Sequence, residues 1–177
     1  IAGLAKAQGV ETVVHLGALL DAVPHSRSVR LTGSATGPGT RELFESFSIK
    51  GSNYQGPTGI SSAVLEACSN NDMEYASLWG HTSHYLQAAP NYRVSYTLTE
   101  TLAKLLKLPL DLDELRSAAE IFDEEVAKAI ADDEQISSYV SKLETQYDEA
   151  APAGEIPEPS EMVKDLEQFL RTRQRRR

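Results

Sequence analysis

The feature that most constrains the fold is a repeated order: a short run of β-forming residues, a loop rich in glycine or histidine, then apolar residues at helical spacing. Residues 10–16 (VETVVHL) and 75–79 (YASLW) form the two runs. The helical stripes are Ile60, Val64 and Ala67/Cys68, then Val94, Leu98, Leu102, Leu105 and Leu106. β-Branched and aromatic enrichment marks the strands, and recurrence every three or four residues marks the helices. Strand, loop, helix, strand, loop, helix defines an α/β domain whose sheet is at least partly parallel. Residues 1–8 read as the last two turns of a helix stopped by Gly9. The chain therefore opens inside an element, and strands completing the sheet are expected upstream.

The intervening segments are less sharply marked. Residues 29–32 are a candidate second strand. Residues 33–40 (GSATGPGT) read as a mobile connection, since three glycines and a proline supply turns but no packing surface. Residues 41–47 form a short element of unassigned type, and residues 80–90 (GHTSHYLQAAP) a loop carrying two histidines. After Pro109 the spacing of Leu112, Leu115, Ala119, Phe122, Val126 and Ala129 predicts a helix with Asp113 as N-cap. Ile136, Val140, Leu143 and Tyr147 predict another, with Asp132 and Asp133 as the turn of a helical hairpin. The expected organisation is an α/β core over residues 1–110, the hairpin over 111–149, a proline-rich linker over 150–159 and a final helix over 160–177.

With 177 residues the chain can build one full domain and a helical appendage, but not two ordinary cores. Its formal net charge of −9 excludes a general nucleic-acid binder, because the average field repels phosphate. The single cysteine, Cys68, excludes an internal disulfide and a cysteine-based zinc site, and it suits a reducing, cytoplasmic setting. No apolar run approaches the ~18 residues a membrane span requires. Charge is unevenly spread: residues 111–149 hold 13 acidic side chains against Arg116, Lys128 and Lys142, which reads as the solvated face of the hairpin.

Three segments carry candidate chemistry. Gly56, Pro57, Thr58 and Gly59 precede a helix, where free backbone N–H groups and the helix dipole would favour an anion. They lack a P-loop's lysine and spacing, and a tight turn with a hydroxyl cap is the preferred reading. His81 and His84 have a spacing that metal ligands use, yet no third ligand with a motif lies nearby, so no metal and no cofactor is assigned. Pro24, His25, Ser26 and Arg27 follow a strand, where α/β folds collect ligands. Ser26 and His25 are not a catalytic pair, because adjacent side chains diverge and no orienting acid is indicated.

In combination these segments resemble the PAC2 family, named for a proteasome assembly chaperone. The resemblance rests on Gly56-Pro57-Thr58-Gly59-Ile60-Ser61-Ser62 opening a helix, on Ala76-Ser77-Leu78-Trp79, on His84-Tyr85-Leu86 before Ala89-Pro90-Asn91, and on the helix carrying Leu102 to Leu106. Pro24-His25-Ser26-Arg27 is similar to the Pro-His-Thr-Arg loop of actinobacterial members, with Ser26 replacing the threonine. The resemblance implies a three-layer α/β/α sandwich like the nucleoside phosphorylase fold, with a helical extension. It also implies homo-oligomers, often trimers, and assembly or chaperone-like binding, with proteasome subunits as candidate partners and no established catalysis. Two functions follow as expectations. The first is a non-enzymatic, self-associating protein acting through surfaces, without nucleic acid or membrane as partner. The alternative is a small-molecule binder or phosphorylase- or hydrolase-like enzyme, its site formed where His25, Arg27, Gly56, Thr58, Gly59, His81, His84 and Tyr85 converge.

Overall fold

A computed structural model of the chain describes residues 1–51, 59–86 and 90–149. The Gly56 and Thr58 positions, the linker and the final helix lie outside the described residues. Two compact units divide the chain, Ile1–Thr145 and Gln146–Arg177, and the sheet and core belong to the first.

The described elements run α1 (Ala2–Ala7), β1 (Thr12–Asp21), β2 (Leu31–Ala35), α2 (Pro38–Ser46), α3 (Ile60–Ser69), β3 (Glu74–Ser83), α4 (Tyr92–Leu106), α5 (Asp113–Ala131) and α6 (Glu134–Glu149). β3 is the central strand of a mixed three-stranded sheet ordered β1-β3-β2. It pairs with β1 in parallel, from Thr12 opposite Glu74 to Asp21 opposite Ser83, and with β2 antiparallel. The helix stop at Gly9 is real: its φ of 76° lies in the left-handed region that glycine enters without a Cβ clash.

Alternation along β3 divides the core. Ala76 and Leu78, both fully buried, pack with Phe44 of α2 and with Val94, Leu98 and Leu105 of α4. Tyr75 packs with Cys68 of α3 and Met73, joined by Val13 of β1 and Ala2 and Ala5 of α1. Successive strand residues point to opposite faces, so each cluster takes one parity of the strand.

α3 and α4 occupy the ranges their apolar spacing predicts, and α4 is closed by the Asn91 side chain accepting from the Val94 N–H at 3.0 Å. Three expectations need correction. Residues 33–40 are not a mobile connection: Gly33, Ser34 and Ala35 complete β2, and Pro38 opens α2 at a position where its missing N–H costs nothing. β3 does not stop at Trp79 but runs to Ser83, so His81 is a strand residue and not a loop residue. Asp113 is the first helical residue of α5 and not its cap; the Asp111 carboxylate accepts the Asp113 N–H at 3.0 Å, and Asp113 pairs with Arg116. At the α5–α6 turn, Asp133 accepts the N–H groups of Gln135 and Ile136 at 3.0 and 3.1 Å, starting α6.

Candidate functional site

Because β1 and β3 are parallel and in register to their ends, Asp21 and Ser83 lie side by side at one rim of the sheet. The loops that leave these ends carry His25 and Arg27 on one side and His84 and Tyr85 on the other. Two hydrogen-bonded sets result.

The first set centres on Asp21. Its Oδ1 accepts the Ala22 N–H at 2.7 Å and its Oδ2 accepts from His81 Nδ1 at 2.6 Å. An ionised carboxylate has no proton to give, so Nδ1 donates to it, and Nε2 lies 3.0 Å from the Thr32 hydroxyl. His81 and Thr32 are both buried. Burial pushes the Asp21 carboxyl up, but the hydrogen bonds from His81 and Ala22 and the charges of His81 and Arg30 outweigh it and hold the group below its ordinary value.

The second set ties the loops to α6. The Tyr85 hydroxyl accepts the His25 backbone N–H at 2.9 Å and shares a hydrogen bond of 2.8 Å with His25 Nδ1. His84 donates from Nδ1 to the Asp21 carbonyl at 3.1 Å, leaving Nε2 to accept the Tyr139 hydroxyl at 3.0 Å. His84, Tyr85 and Tyr139 meet edge to face, with ring centroids 5.6–6.2 Å apart. Ser26 donates to Glu144, and the same carboxylate oxygen lies 3.4 Å from the Arg27 guanidinium. Burial lowers the His25 imidazole, against the raising pull of Glu144 and Asp123, and raises the Tyr85 and Tyr139 hydroxyls.

Of the residues singled out in the sequence, His25, Arg27, His84 and Tyr85 therefore come together. His81 stands one layer in, on β3. Gly59 is the N-cap of α3 with open space where a Cβ would sit. Sequence reasoning missed Asp21, Thr32, Tyr139 and Glu144. Asp21 had a signal, a carboxylate at the end of a β-type run. Glu144 had none, because an acidic run on a helix reads as solvent-facing until a loop is seen to dock there.

Chemically, this arrangement holds the rim together. Both ring nitrogens of His81 and of His84 are engaged within the chain, and among the described residues no three His, Cys, Asp or Glu side chains converge as metal ligands. A recess of about 30 Å³, lined by His25, Arg27, Arg30, His81 and Arg93 among others, opens beside the two sets. It has room for a water or two or a small ion, not for a nucleoside. No helix among the described residues is long and apolar enough to cross a membrane.

The sequence that folds into this mixed α/β sheet matches a known family. The PAC2 family model matches residues 1–130, and the chain belongs to that family. Its fold is shared with a Mycobacterium tuberculosis protein of unknown function at TM-score 0.74 and 28% identity, over 83% of this chain and 49% of that one. A PAC2 family protein from Streptomyces avermitilis matches at 0.66 and 32%, over 78% and 57% of the two chains. The M. tuberculosis proteasome-assembly chaperone homologue matches at 0.65 and 30%, again over 78% and 57%. The chain thus spans about half the length of these structures. Among curated proteins, none matches the sequence.

Proposed function

We propose that the protein works by protein–protein contact, as a self-associating PAC2 member of the proteasome-assembly-chaperone kind, within a three-layer α/β/α sandwich extended by helices. The observation that carries this reading is the likeness, in sequence and fold together, to the M. tuberculosis proteasome-assembly chaperone homologue. The chemistry of the rim supports it, since His81, His84 and Tyr85 are engaged in holding strand ends, loops and α6 to one another. Exposed apolar side chains supply contact surface: Leu4 on α1, Leu20 on β1 and Ile60 on α3 are each more than half exposed. Self-association, with a trimer as the expected form, would cover such groups.

The test is purification of the tagged chain from its native cells under gentle conditions. Proteasome subunits recovered in near-stoichiometric amount are the expected result. Their absence from an otherwise intact, oligomeric preparation would overturn the proteasome part of the reading.

A further inference from the structure

We propose that the recess at the carboxyl ends of β1 and β3 binds a small tetrahedral oxyanion, either inorganic phosphate or the phosphoryl group of a small molecule. Residues 1–149 contain five arginines, and three of them, Arg27, Arg30 and Arg93, line this one recess. They reach it from three directions: the loop after β1, the approach to β2 and the first turn of α4. Against them the lining holds a single carboxylate, Asp123. In a chain of net charge −9, such a concentration of cations runs against the average field.

The present counterions are the chain's own carboxylates. Asp123 takes Arg93 Nε and a terminal nitrogen at 2.8 and 2.6 Å, Glu144 lies 3.4 Å from Arg27, and Asp21 lies 3.7 Å from Arg30. An anion with three or more oxygens can accept from several guanidinium groups at once. The N-terminal turn of the 15-residue α4, at Asn91, Arg93 and Val94, lines the same recess and adds its positive end. The small recess limits the occupant to a small ion or a group of similar size. This inference is independent of the assembly reading, because an adaptor could carry such a site and an isolated site would not make the chain an enzyme.

The test is calorimetric titration of the full chain at constant ionic strength with sodium phosphate, glycerol 2-phosphate and acetate. Saturable one-site binding of phosphate or glycerol 2-phosphate is expected, and the relative affinity of those two separates a free anion from a phosphorylated ligand. Acetate, with two oxygens, should bind far more weakly. Arg30→Gln and Arg27→Gln should each weaken binding about tenfold or more. Asp123→Asn and Glu144→Gln should tighten it, an opposite sign that a merely structural role would not produce. Arg116→Gln, on the exposed side of α5, should leave it unchanged. If Arg30→Gln fails to fold by circular dichroism, Arg27→Gln carries the same prediction. Absence of saturation with both phosphates, or equal affinity in the wild type and the folded arginine variants, would overturn the proposal.

Discussion

Asp21 ties several parts of the rim together: its carboxylate takes the Ala22 N–H and His81, and its backbone carbonyl takes His84. Burial alone would favour its neutral form; the donors around it reverse that and lower its titration. The unfolded chain then binds the proton first on acidification. The contribution of Asp21 is complete above its unfolded value and disappears as pH falls through the lowered folded one. Asp21→Asn should cost about 1–3 kcal/mol at neutral pH, since His81 loses a charged acceptor, and should flatten the acid limb of stability measured by urea unfolding. His25 follows the same sign for a different cause. Burial, partly opposed by Glu144 and Asp123, lowers it from its ordinary 6.5, so its contribution is whole above that value and lost as pH falls below it. His25→Gln should therefore lose less stability than wild type between neutral and mildly acidic pH.

Among the elements, α4 packs tightly on the sheet. A Cβ built at Gly80 would lie 2.6 Å from Val94 Cγ1 and 3.3 Å from Leu98, so the helix packs on bare backbone. Gly80→Ala should push α4 off β3 and cost about 1–3 kcal/mol, read as a lowered denaturation midpoint with an unchanged slope. α6 adds polar contacts to the rim to its buried Val140 and Leu143. Tyr139→Phe removes only the hydroxyl that serves His84, and a loss of about 1 kcal/mol with faster amide exchange confined to α6 is the expected outcome.

These same elements show what could be read beforehand. α3 and α4 were legible because their apolar residues fall in stripes that need no partner to be recognised. β2 was not, because Gly33 is a strand residue by virtue of its neighbours, the Ser77 carbonyl, Phe44 and Ile49, and Ser34 by its pairing with Ser77. The end of β3 was hidden for a like reason: glycine and histidine spell a loop until α4 packs on one and Asp21 holds the other. The site was half legible. The histidine-bearing segments can be named from the sequence, but the 60-residue separation of His25 from Tyr85, and the longer one from α6, closes only in three dimensions.

At the scale of the whole molecule, family membership and fold rest on residues 1–130 and on neighbours about twice as long. The proposed function rests on surface: apolar side chains exposed on α1, β1 and α3, and a rim whose imidazole and phenol groups are engaged internally. Truncating that surface tests its role. Leu4→Ser with Ile60→Ser should shift the protein toward monomer without changing its circular dichroism, because neither side chain is buried within the chain. The most direct measurement on the surface-acting account is size-exclusion chromatography with light scattering at micromolar concentration. The account predicts a peak at a multiple of 19.4 kDa, a trimer being the expected one. A peak at the single-chain mass across all concentrations would contradict it.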